Sequence, residues 1–166
     1  MSLVGAWVPG LPQLLQAHKC AQWTGIKNGF VALKNQMDAV QPDVLVIYSS
    51  QWLGVLGTSF QVRQHLKGVH VDENWYEWGD LEFDFRSDQK LGMQCKSALE
   101  TQAHLPARTV DFEEFPIDTA TIVANHFLNP QGKIPVCLIS SWCYADAAKS
   151  FLIGKTIADT VANQGK

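Results

Sequence analysis

Two kinds of hydrophobic pattern alternate along the chain. Val44-Leu45-Val46-Ile47-Tyr48 and the segment from Ile134 to Ser140 are short and almost wholly apolar. Neither has a polar face, so each predicts a strand covered on both sides, as at the centre of a mainly parallel sheet between helices. Around them the spacing turns helical. From about Cys20 to Val40, Trp23, Ile26, Phe30, Leu33 and Met37 recur every three or four residues, and the pattern ends before Pro42. Leu91, Cys95, Ala98 and Leu99 mark a second helix, capped by Ser87 or Asp88 and running to about Gln102. A third runs from a cap at Asp118 or Thr119 through Phe127 to Asn129-Pro130. The fourth spans Ala147 to Val161, with Phe151, Ile153, Ile157, Ala158 and Val161 on its apolar side.

Shorter signals fill the gaps. Leu3 to Val8 reads as a first strand, ended by Pro9-Gly10-Leu11-Pro12. With the first helix and the Val44 strand it makes a β-α-β unit of right-handed crossover. Val55 to Val62 reads as a strand after a turn permitted by Gly54 and Gly57, and Thr109 to Phe112 as a short one. Leu81 to Arg86 alternates like a half-buried strand. The sum predicts one α/β domain over residues 1–166, a three-layer α/β/α arrangement with a mainly parallel or mixed sheet. The alternation calls for a further strand after the last helix. Instead Asn163-Gln164-Gly165-Lys166 looks like a helix end leading onward, so the C-terminal part of the fold is expected to be lacking.

Composition narrows the partners. The 166 residues are 46% apolar and 17% charged, with a net charge of −3, as in an ordinary soluble protein. No basic stripe interleaved with aromatics offers a surface to nucleic acid. No apolar run reaches the roughly 18 residues of a membrane span, and the N-terminus lacks a basic-then-apolar leader. Cys20, Cys95, Cys137 and Cys143 show no CxxC spacing and read as reduced thiols of a cytoplasmic protein.

In open α/β sheets ligands bind beyond the carboxyl ends of the strands. Here Ser49, Ser50, Gln51 and Trp52 occupy that place. Ser49-Ser50 lacks the glycines of a strained nucleophile elbow, and Gly54-Val55-Leu56-Gly57 lacks the lysine and spacing of a phosphate loop. The oddest stretch is Val69 to Arg86, acidic and aromatic together. Its His70, Asp72 and Glu73, with His65 nearby, are candidate ligands for a hard or borderline metal; a solvated acidic loop is the plainer reading. Trp75 and Trp78 fall in a polar loop and point to a ligand or partner surface. Residue types alone go no further.

Motif order adds more. Val8-Pro9-Gly10-Leu11-Pro12, Pro42-Asp43-Val44 through Tyr48-Ser49-Ser50-Gln51-Trp52, and Gly68 through Glu77 follow one another. Gly79-Asp80-Leu81, Phe83-Asp84 and Phe115-Pro116-Ile117-Asp118-Thr119 complete the series. Together they resemble the class III extradiol ring-cleavage dioxygenases, of the protocatechuate 4,5-dioxygenase superfamily, over most of the chain. The resemblance implies an Fe(II) held in catalytic members by two histidines and a glutamate. One histidine would stand at Pro9-Gly10-Leu11 and the second at Gln51. A further histidine of an Asp-His-Gly motif would fall in Asp118-Thr119-Ala120, and the glutamate beyond Lys166. With Gly10 and Gln51 in the ligand positions, no cofactor is expected in this chain, and Pro9, Gly10, Gln51, Trp52, Asp118 and Thr119 would line a degenerate pocket.

The resemblance thus implies a non-catalytic, α-type subunit like those of aminophenol-cleaving members. Its partner would be a homologous, iron-bearing β-type subunit or a second copy, met through His70, Asp72, Glu73, Trp75, Tyr76 and Trp78. Two alternatives stand beside it. One is an Fe(II) dioxygenase with a divergent site at His70, Asp72 or Glu73. The other is a module that holds a small aromatic ligand without turnover.

Overall fold

The helices form where the periodicity places them, and aspartate fixes where three of them start. The computed structural model describes residues 4–19 and 21–163. Its helices are α1 (Thr24–Val40), α2 (Gln89–Thr101), α3 (Thr119–Leu128) and α4 (Ala147–Ala162). Asp88, Asp118 and Asp146 each accept a hydrogen bond from the backbone N–H three residues on, at 2.9, 2.9 and 2.8 Å. Each thereby satisfies one N–H of a first helical turn that has no partner inside the helix.

The strands are β1 (Leu45–Gly54), β2 (Thr58–Gln61), β3 (His65–His70), β4 (Leu81–Arg86), β5 (Ala107–Val110) and β6 (Val136–Trp142). Four make a mixed sheet in the order β1-β6-β2-β5. β1 runs parallel to β6, β2 parallel to β5, and β2 antiparallel to β6. Gly57, in the turn before β2, takes φ +128°, a conformation open to glycine. β3 and β4 form a separate antiparallel hairpin paired from His65–Arg86 to His70–Leu81.

Successive side chains of a strand point to opposite faces, and β6 shows what each face meets. Cys137 and Ile139 pack with Phe60 against Leu91, Cys95 and Leu99 of α2 and Ile153, Ile157 and Val161 of α4. Val136 and Leu138 pack with Ile122 of α3 and with Leu66, Phe83 and Phe85 of the hairpin. α1 joins the second layer through Phe30 and Met37, which pack with Val123 and Leu128 of α3. Helices therefore cover both faces of the sheet, in three layers. Among the described residues no helix is long and apolar enough to cross a membrane.

Four expectations are corrected. β1 is not central: among the described residues no strand pairs with its outer edge, so Val46 and Tyr48 are 37% and 47% exposed. Residues 4–8 form no strand; Val8 packs against the α1–α3 cluster while Trp7 is fully exposed. Phe151 is 73% exposed, because the buried stripe of α4 runs through Ile153, Ile157 and Val161, to which Phe151 does not belong. Ala158 also lies off that stripe and is exposed. Leu3, Cys20 and the Gln164-Gly165-Lys166 ending lie outside the described residues.

Candidate functional site

β1 leaves its ladder where the candidate residues begin. Its pairing with β6 runs in step from Leu45–Val136 to Ser49–Ser140, then resumes at Leu53–Ser141. Ser50, Gln51 and Trp52 are extra residues on the β1 side, an enlarged bulge of the kind that re-aims side chains. Backbone N–H groups that leave a ladder need other acceptors. Ser49 Oγ accepts from the N–H of Gln51 at 3.2 Å and, more weakly, of Trp52 at 3.4 Å. Its own proton goes to Asp118 Oδ1 at 2.7 Å.

Asp118 therefore joins the bulge to the start of α3. Besides the bond from Ser49 it accepts from Thr121 N at 2.9 Å and from Thr121 Oγ1 at 2.7 Å. The neighbouring Ala120 N–H is another first-turn donor without a helical partner, and it donates to Gln51 Oε1 at 2.8 Å. The other end of the same amide, Gln51 Nε2, donates to the Gly10 carbonyl at 3.1 Å. Gly10 and Ala120 are then very close. A Cβ on Gly10 would lie 2.2 Å from Ala120 Cβ and 2.4 Å from Ala120 Cα. Carbon atoms in ordinary contact are about 3.5–4.0 Å apart, so no side chain at position 10 fits this arrangement.

The acidic segment is tied to the same helix end. The Thr119 hydroxyl donates to Asp72 Oδ2. Asp72 Oδ1 accepts from Asn74 N at 2.9 Å and Trp75 N at 3.2 Å. Asp72 is only 8% exposed. Burial pushes its pKa up, but the bonds from Thr119, Asn74 and Trp75, aided by the nearby His70, hold it below the usual carboxylate value. Farther along the segment, the Gln16 side-chain amide donates to the Trp78 carbonyl.

Gly10, Gln51, Asp118 and Thr119, three distant stretches of sequence, thus meet in one hydrogen-bonded junction. Pro9 is half-buried beside it, and Trp52 sits edge-on to Phe115 with ring centroids 5.0 Å apart. Of the proposed partner surface, Tyr76 is 71% exposed and Glu73 is exposed, whereas His70, Trp75 and Trp78 are half-buried. His65 turns to Asp84, 2.8 Å away across the hairpin. Among the described residues no three His, Cys, Asp or Glu side chains gather as metal ligands. A cavity of about 670 Å³ lies elsewhere, where β4 faces the C-terminal end of α3, lined by Phe83, Arg86, Asn125 and His126 among others. Three junction residues escaped the sequence reading in this role: Ser49, Ala120 and Thr121. The last donates its hydroxyl to the capping carboxylate, a pairing that no sequence pattern marks.

Comparison with known proteins supports the extradiol dioxygenase-like assignment that the motif order suggests for the chain. Its relatives are specific: over 168 aligned residues, the whole of this chain, it is 35% identical to the 2-aminophenol 1,6-dioxygenase alpha subunit of a Pseudomonas species. It is also 26% identical over 119 residues, 72% of this chain, to the 2-aminophenol 1,6-dioxygenase beta subunit from Pseudomonas. The chain spans 62% of the length of the first relative and 39% of the second. No protein-family profile matches it.

Proposed function

We propose that the chain is a non-catalytic, α-type subunit that assembles with an iron-bearing homologue in the oxidative cleavage of aminophenol- or catechol-type rings. The observation that carries this reading is the chemistry of the junction. Fe(II) in such enzymes is held by imidazole and carboxylate ligands with open positions for substrate and dioxygen. Gly10 has no side chain, and its carbonyl is taken by the Gln51 amide. The Gln51 oxygen is taken by the Ala120 N–H. Both Asp118 oxygens already accept bonds from Ser49 and Thr121. These residues do not suit an iron ion, and no step of ring cleavage is assigned to them.

Partnership is supported by likeness to both subunits of one two-subunit enzyme. The test is co-expression with a β-type subunit. A stable hetero-complex is expected, with turnover of 2-aminophenol lost when the partner's iron is removed. A chain that stays monomeric beside that subunit, or that cleaves the ring alone after loading with Fe(II), overturns the reading.

A further inference from the structure

We infer that Gly10, Gln51 and Ala120 form a clamp: the position where the family would place its metal is closed by a side-chain amide that ties the first loop to the start of α3. The inference rests on the preceding reading for which positions would carry imidazole; the contacts themselves stand without it. A metal joins chain segments by binding a ligand from each. Here one amide does so, since Gln51 donates to the loop at Gly10 and accepts from α3 at Ala120. The bulge in β1 puts Gln51 there, and Ser49 holds the bulge by bonding its two N–H groups and Asp118. Thr119 extends the connection to Asp72 and so to the turn carrying Trp75. Three segments distant in sequence are thereby fixed to one helix end.

The clamp also closes the space. Gly10 and Ala120 approach so closely that a Cβ at position 10 meets both the side chain and the backbone of Ala120. Restoring histidine at the implied positions therefore does not restore a site, because the imidazole of residue 10 has no room. Gln51 is a positioning residue, and its two halves have separable jobs.

On the full chain, amide hydrogen exchange at Ala120 and the carbonyl-carbon NMR resonance of Gly10 read those jobs one at a time. In Gln51→Ala the Ala120 N–H should exchange about tenfold faster, having lost its acceptor, and the carbonyl-carbon NMR resonance of Gly10 should shift, that oxygen having lost its donor. In Gln51→Glu the carboxylate still accepts from Ala120 at the positive end of α3 but has no proton for Gly10. Ala120 should then stay protected while the Gly10 carbonyl resonance shifts as in Gln51→Ala. Gly10→Ala should lower Tm, and adding Ala120→Gly should recover part of the loss by removing one of the two clashing atoms.

Ala120 exchange unchanged in Gln51→Ala overturns the clamp and leaves the non-catalytic reading intact. So does a Gly10→Ala protein with the parental Tm. Tight iron in the unaltered chain, with the Gln51 exchange effects present, sinks the non-catalytic reading and leaves the clamp standing.

Discussion

β1 and β6 lie side by side in parallel register and are built from similar residues, but different forces hold them. Val136 through Ser140 of β6 are fully buried, with α2 and α4 on one face and α3 and the hairpin on the other. Among the described residues β1 has β6 on one side only, and Val46 and Tyr48 reach solvent. Leu45 and Ile47 of β1 are only half-buried against the α3 side, and its end is fixed by polar bonds through Ser49, Gln51 and Asp118. An apolar run says that a strand forms; its neighbours decide how deeply it is buried. The polar residues after the run, which look like a candidate active site in sequence, are here its anchorage.

The largest effect should come from cutting both strands on the same face. Ile139 is fully buried in the α2–α4 cluster, so Ile139→Ala should cost about 2–5 kcal/mol. Val46 pairs with Cys137 and so shares that face, yet it is 37% exposed; Val46→Ala should cost less than about 1 kcal/mol. Urea unfolding with an unchanged m-value measures both. A Val46 cost equal to that of Ile139 would mean the outer part of this face is covered in solution, and the contrast would fail.

The strand-end serines give a smaller and sharper pair. Ser140 Oγ accepts from the Ser59 N–H at 2.7 Å, linking β6 to β2 where both residues are buried. Ser140→Ala leaves that N–H without an acceptor and should cost about 1–3 kcal/mol. Ser49 is also buried, but the N–H of Gln51 that it serves belongs to an exposed residue and can turn to water. Asp118 retains both bonds from Thr121. Ser49→Ala should therefore cost about 1 kcal/mol or less, with its effect confined to exchange at the bulge and the first turn of α3. A reversed order of the two serines would show that β1's end carries more of the fold than β6's core.

These contrasts also show which parts of the molecule could be read in advance. Helices depend on neighbours three and four residues away and on one capping side chain, so α1 to α4 were legible almost to their ends. The rank of β1 in the sheet was not, because it depends on pairing with a strand about ninety residues later. The bulge was hidden for the same reason: Ser50-Gln51-Trp52 contains no glycine or proline to announce a break, and the break exists only relative to β6. Motif order pointed to Gly10, Gln51 and Asp118 as one site, and they do converge. That Gln51 bridges two backbones could not be read, since an amide looks the same in sequence whether it faces water, a ligand or a helix end.

Acid should separate the two strands by the kind of force that holds them. Asp72 is tied through Thr119 to the helix end that anchors β1, and its pKa in the folded chain lies below the ordinary value of 3.8. The unfolded chain therefore binds this proton first. The stabilisation from Asp72 is complete above about pH 3.8 and is lost as the pH falls toward the folded value. Asp84 and Asp146 shift in the same direction through His65 and Lys149, but both are exposed, so salt should screen them; the buried Asp72 bonds should persist at high ionic strength. Asp72→Asn keeps the shape, loses the charge-assisted bonds and should cost about 1–2 kcal/mol at neutral pH. It should also flatten the acid limb of the stability curve measured in high salt. Relative to its intrinsic rate, exchange at Ala120 should then quicken below about pH 3.8 before exchange at Ile139 does. If both quicken together at every pH, the junction and the β6 core open as one cooperative unit, and polar anchorage is no longer what distinguishes β1.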